Sequence, residues 1–251
     1  MTFWEAVAVA LAGLGAGAIN TVVGSGTLIT FPVLLAVGYP PVLANVSNTV
    51  GLVPGSLSGV IGYRAELTGQ ARRLLRLGAA SLLGGTTGAV LLLVLPERAF
   101  RAIVPALIIL ACALVVVQPK LSARLRRHDG EPPAAARPLL YAGIFATGIY
   151  GGYFGAAQGV LLIAVMGLLL DDDLQRVNAA KNVLALLVNG VAALVFITVT
   201  DVAWAAAGLI AGGSVVGAQL GALIGRRIPD GALRGVVVVV GVLAVVQILG
   251  D

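Results

Sequence analysis

Apolar and polar positions alternate along this chain in long blocks, with most of the charge confined to the short breaks between them. The apolar blocks run roughly over 3–22, 26–38, 42–62, 75–95 and 99–118, then over 138–155, 159–170, 176–199, 203–225 and 230–250. Stretches of about 18 or more apolar residues are what a bilayer core ~30 Å thick selects as crossing helices. The second block of each half has only about 13 residues, roughly 20 Å of helix, and is too short to cross alone. Each is expected to form a broken or re-entrant hairpin with the block before it. The pattern predicts an all-α polytopic membrane protein of 8–10 helical segments, each half a hairpin plus three transmembrane helices.

The two halves align at one fixed offset of 133 residues. LPERAFRAIV (95–104) lies over IPDGALRGVV (228–237), pairing Pro96 with Pro229, Ala99 with Ala232 and Arg101 with Arg234. SLLGGTTGA (81–89) lies over SVVGAQLGA (214–222) in the shared frame S-x-x-G-x-x-x-G-A, and the same register pairs Gly26 with Gly159, Asn45 with Asn178 and Val50 with Val183. A first repeat over 1–118, a linker over 119–137 and a second repeat over 138–251 follow.

An odd number of crossings per half turns the second repeat upside down, and the charges agree. Arg64, Arg72, Arg73 and Arg76 follow the third block of the first half, where the second half has only Asp201. Arg226 and Arg227 precede the last block of the second half, where the first half has Leu93 and Val94. With 64–76, the linker and 225–234 in the cytoplasm, the excess of Lys and Arg lies inside throughout. Both termini are then expected outside a cytoplasmic (inner) membrane. The linker, with Lys120, Arg124, Arg126, Arg127, His128, Asp129, Glu131, Pro132, Pro133 and Arg137, is expected to be a mobile cytoplasmic loop.

Composition narrows the picture further. Apolar residues make up 59% and charged residues 11% of the 251 positions, with mean hydropathy +1.03, against about 25% charge in soluble domains. The pI near 9.9 reflects orienting Lys and Arg between crossings, so nucleic acid is not expected as a partner. Cys112 is the single cysteine, which excludes an intrachain disulfide and a Cys-rich metal site. Residues 3–22 have no basic stretch before them and read as structure, not as a cleaved signal.

Paired repeats with short, Gly-interrupted segments point to a transport site where broken helices aim backbone N–H groups at an anion. In GAGAINTVVGSGTLITFP (15–32), Gly24 and Gly26 permit the reversal; Ser25 and Thr27 supply hydroxyls, and Asn20 and Thr21 join the same candidate site. Its counterpart GIYGGYFGAAQGVLL (148–162) offers Gly155, Gln158 and Gly159. The third block of each half adds a polar stripe: Asn45, Asn48 and Thr49 in one, and Asn178, Lys181 and Asn182 in the other, spaced to share a helix face. Buried amides in lipid are costly unless partnered, and they can donate to an oxyanion. The plainer readings are close helix packing for the glycines and interhelical hydrogen bonding for the amides. For Lys181 it is a side chain that reaches the interface or pairs with Asp171, Asp172 or Asp173. Asn189 reads as packing, and Arg64 and Arg176 as orienting charges that also attract anions to the mouth.

All eleven carboxylates fall at termini, loops or block ends. A cation carrier or carboxylate proton relay keeps an acid inside the membrane, so a small anionic solute fits better. No catalytic residues, metal ligands or cofactors are expected: the lone His128 sits in the linker, and no phosphate-binding G-x-x-x-x-G-K-[ST] loop occurs.

The stretches 15–59 and 148–190, which carry these motifs, resemble the TauE/SafE family of membrane transporters over essentially the full length. That resemblance implies two related halves and the movement of sulfite, thiosulfate or small organosulfonates such as sulfoacetate across the cytoplasmic membrane, often outward. The chain has a single GSG where longer glycine runs are expected in relatives. The expectation is a secondary transporter of a small sulfur anion working by alternating access. The alternatives are a non-transporting scaffold or accessory subunit and a carrier of another small solute; an intramembrane enzyme lacks its residues. Besides membrane lipid, a homodimer through the small-residue faces is left open.

Overall fold

The structure is a computed structural model that describes residues 1–125, 137–170 and 172–224, with side chains to Val117 in the first stretch. The described residues form nine helices and no strand: α1 (Phe3–Val22), α2 (Thr27–Ala36), α3 (Pro41–Gly62), α4 (Ala71–Val94), α5 (Glu97–Leu125), α6 (Arg137–Tyr153), α7 (Gln158–Leu169), α8 (Leu174–Val199) and α9 (Trp204–Ile224). The block expected at 230–250 and most of the expected linker lie outside the described residues. Helix α5 runs past the end of its apolar block, because helical backbone bonding does not stop where hydropathy falls and Ala123, Arg124 and Leu125 are good helix formers.

Helices α1, α4, α5, α8 and α9 are long and apolar enough to cross a membrane. Helix α1 starts at a capping box, in which Thr2 Oγ1 accepts from Glu5 N–H and Glu5 Oε2 accepts from Thr2 N–H at 2.6 Å. Helix α3 is as long, but it carries Asn45, Ser47, Asn48 and Thr49, all buried. Its polar face turns towards protein, as a lipid-facing amide would be left without partners.

In lipid there is no hydrophobic drive between helices, so close backbone contact has to hold them together. Gly84 and Gly88 of α4 pack against Phe145 and Ile149 of α6, and Gly217 and Gly221 of α9 against Leu14 and Ala18 of α1. A Cβ on Gly88 or Gly217 would overlap the facing carbonyl. Both S-x-x-G-x-x-x-G-A frames are thus spent on packing within one chain.

These contacts also set helix directions. Residue numbers rise together between α1 and α9, between α3 and α9 (Gly51 on Ala207, Gly62 on Ala222), and between α4 and α6. The start of α8 lies beside the loop after α3, where Gln70 donates to Arg176 O at 3.2 Å and Arg176 to Thr68 O at 3.2 Å. The start of α9 lies beside the start of α3, where Ala203 N–H donates to Ser47 Oγ at 2.9 Å. Helices α1, α3 and α9 therefore run one way and α4, α6 and α8 the other. Ser56 and Asn189, partners in the 133-residue register, touch each other at 3.4 Å. Phe3, Trp4 and Trp204 stand exposed at one end of the bundle, as interfacial aromatics do. The loop 63–70 and the starts of α4, α6 and α8 gather at the other.

At that second end Asp172 takes Arg73 at 2.7 Å and Arg176 at 2.8 Å, tying α4 to the α7–α8 turn. Burial by itself raises the Asp172 carboxyl, but bonds and charge from Arg73, the Asp173 N–H and Arg176 outweigh it and hold it below its ordinary value.

Candidate functional site

Helix α1 stops at Val22, and the chain turns through 23–26 before continuing as α2. Gly24 makes the turn in the left-handed region, at φ +86°. Ala157, its partner in the 133-residue register, sits at φ 57° before α7, with Gly155 at φ 76° beside it. The two turns meet. Gly159 N–H donates to Gly24 O at 3.0 Å, and a Cβ on either glycine would overlap the other's backbone. An aromatic cluster of Phe31, Phe100 and Phe154, with ring centroids 5.2–6.5 Å apart, fixes α2 and α5 against the second turn.

A helix broken inside the bundle leaves terminal carbonyls without intrahelical partners and a partial negative charge beside them. Helix α8 supplies what α1 needs. Lys181 Nζ donates to Asn20 O at 2.8 Å and Thr21 O at 3.1 Å, and Asn178 and Asn182 each donate to Thr21 O at 3.3 Å. The stripe Asn178–Lys181–Asn182 thus grips the cut end of α1 from across the bundle. Lys181 is 0% exposed, its chain lies against Gly159, and it reaches neither the surface nor Asp172 or Asp173. Asp171 lies outside the described residues. The Lys181 amine is buried here, held by backbone carbonyls and without a described carboxylate beside it.

The other stripe behaves in a related way. Asn45 Nδ2 donates at 3.0 Å to the carbonyl of Tyr153, the last residue of α6, so each half binds the cut helix of the other. Asn48 turns to α2: its Nδ2 donates to Thr27 Oγ1 at 3.3 Å, and its Oδ1 accepts from Thr30 Oγ1. Thr49 bonds back to Asn45 O within α3, and Gly26 N–H reaches Asn20 Oδ1 at 3.4 Å.

Sequence reasoning passed over Thr30, although its place one turn beyond Thr27 on a short helix was a usable signal. It also passed over the carbonyls of Asn20, Thr21 and Tyr153, which no side-chain pattern encodes. Two donors of the expected site remain without partners among the described residues: Ser25 Oγ and Gln158 Nε2, both buried beside the touching turns. Neither α2 nor α7 has a side-chain cap on its first turn. The arrangement offers one buried lysine amine, two polar donors without partners and two half-helix N-termini, groups that can meet negative charge. The described residues hold no group of three or more His, Cys, Asp or Glu placed to bind a metal.

Comparison with known proteins agrees with this picture. The profile described as "Sulfite exporter TauE/SafE" matches residues 9–248. A "Probable membrane transporter protein YfcA" of Escherichia coli K12 is 28% identical over 239 residues, covering 94% of this chain and 86% of that protein. A "Probable membrane transporter protein" of Haemophilus influenzae is 24% identical over 241 residues, covering 95% and 92%. No solved structure matches significantly. A family match across nearly the whole chain, on a bundle of membrane-crossing helices, makes this protein a membrane transporter that belongs to the TauE/SafE family.

Proposed function

We propose that the protein carries a small sulfur anion (sulfite, thiosulfate, sulfoacetate or a similar sulfonate) across the cytoplasmic membrane by alternating access. The observation that carries this reading is Lys181, whose fully buried amine lies at the meeting of two helix breaks with no described carboxylate beside it. An ammonium in a low-dielectric interior calls for negative charge, and a mobile anion is the counterion a carrier can exchange. Lys181, Ser25 and Gln158 are assigned to hold the anion, with the half-helix N-termini of α2 and α7 behind them. The asparagines keep the cut ends of α1 and α6 in place. An oxyanion with three oxygens suits this set, because each oxygen accepts from a different donor.

The same reading treats the halves as inverted repeats that rock against each other. Its support is the opposite running of α1 and α6, α3 and α8, and α4 and α9, with the contact of Ser56 and Asn189 between the halves.

Purified protein in liposomes tests the substrate class. Saturable flux of at least one of sulfite, thiosulfate, sulfoacetate and taurine is expected, with sulfate and a small cation as controls. Flux of the cation alone, or of none of these solutes, removes the sulfur-anion assignment and leaves the fold untouched.

A further inference from the structure

A second cationic feature lies far from the helix breaks, at the end of the bundle where α4 and α6 begin. Arg72, Arg73 and Arg76 from the first turns of α4 and Arg137 from the start of α6 converge on one cleft of about 360 Å³, over a floor that includes Leu77 and Leu140. These arginines come from opposite sides of α5 in the chain, so topology rather than sequence proximity brings them together. Asp172 engages Arg73. Arg72, Arg76 and Arg137 pair with no carboxylate among the described residues, and Arg73 Nε is buried without a partner. Orienting charge alone would be served by arginines spread over the surface. Converging them costs mutual repulsion that a bound anion relieves.

The surroundings decide which anion. Leu77 and Leu140 are buried in the floor, and Leu75, Leu139 and Leu168, each next in sequence to a lining residue, are 78%, 62% and 61% exposed. A basic rim over apolar side chains that face outward marks the level where headgroups meet acyl chains. A small free anion gains nothing from the leucines, whereas an amphiphile uses both parts. We infer that this cleft binds an anionic phospholipid, its phosphoryl group held by Arg72, Arg76 and Arg137 and its chains lying along Leu75 and Leu139. The first-turn N–H groups of α4 and α6 point the same way and add to the attraction. Since Arg73 belongs both to the cleft and to the tie with Asp172, a lipid seated there braces the α4–α8 junction.

Native mass spectrometry of the full chain, titrated with phosphatidylglycerol or phosphatidylcholine, tests the inference. Phosphatidylglycerol is expected to stay bound at least about tenfold better, and R72Q/R76Q is expected to lose roughly 10- to 30-fold of that retention. R64Q, outside the cleft, is expected to retain it. Should the double variant fold poorly, R137Q at the exposed start of α6 is expected to weaken retention by about 5-fold. Equal retention of the two lipids by the wild-type protein, or unchanged retention in the cleft variants, overturns the inference. So does displacement of the lipid by millimolar inorganic phosphate, which would make the cleft a site for free anions.

Discussion

Lys181 stands where an α-helix has been cut inside a membrane bundle, and both halves of that problem explain the residue. The cut end of α1 needs donors for its carbonyls, and a long cationic side chain can satisfy two of them at once. In its protonated form the side chain carries a charge that carbonyl dipoles do not cancel, and on the proposed reading a bound anion supplies the counter-charge. K181A should therefore weaken anion transport more than it disturbs folding, because Asn178 and Asn182 continue to hold Thr21 O. The expected loss is that of a charged hydrogen bond, about 1.5–3 kcal/mol or roughly 10- to 150-fold in apparent affinity. Flux at several anion concentrations measures it; unchanged concentration dependence would take Lys181 out of the site. N48A should act differently, since Asn48 bonds Thr27 and Thr30 of α2. Its expected effect is slower flux of roughly 3- to 10-fold, through a loosened half-helix.

Among the elements, the pairings α1–α9 and α4–α6 hold the hairpins in place, and they depend on glycine where a carbonyl comes closest. G217V would force Leu14 and Gly217 apart along the length of the contact. Overpacking of this kind costs about 3 kcal/mol or more when backbone is the obstacle. A clear drop in the thermal midpoint in detergent is expected, with little change for the same substitution at Gly208, which has open space around it. Ties at the loop end are weaker. Asp172 has a lowered folded pKa, so its stabilisation is present above its ordinary value of 3.8 and fades as pH falls through the lowered one. D172N should cost about 1 kcal/mol at neutral pH, because its arginine partners are partly exposed. The variant and the wild type should converge in stability as the medium is acidified below pH 3.8, and a constant difference would show that charge is not the cause.

At the scale of the molecule, two sets of three helices run in opposite directions, with both tryptophans at one end and Arg64, Arg72, Arg73, Arg76, Arg137 and Arg176 at the other, against Arg98 and Arg101 at the tryptophan end. That polarity predicts sidedness. In a C112S background, D129C in the linker should react with an impermeant maleimide only from inside-out vesicles. D201C, in the turn between α8 and α9, should react in intact cells. The reverse pattern would invert the orientation while keeping the fold.

Hydropathy determined the membrane class and most helix bounds, since a segment that must satisfy its backbone in lipid has to be helical for as long as it stays there. The block at 3–22 coincides with α1, and the short second blocks became α2 and α7. The stripes on α3 and α8 were legible too, because side chains three and four apart share a face whatever they meet. What they meet was not legible. Only the tertiary structure turned Asn45 and Asn178 towards the cut helix of the opposite half, buried Lys181 instead of pairing it with the aspartates, and gave Asp172 to Arg73 and Arg176. Apart from Arg176, four positions from Asp172, the partners in these cases are backbone carbonyls or residues about a hundred positions away, and one-dimensional pattern carries no record of either. The gathering of Arg137 with Arg72 and Arg76 belongs to the same class. A chain's own periodicity decides which face of a helix is polar, and the packing of helices against one another decides what that face is for.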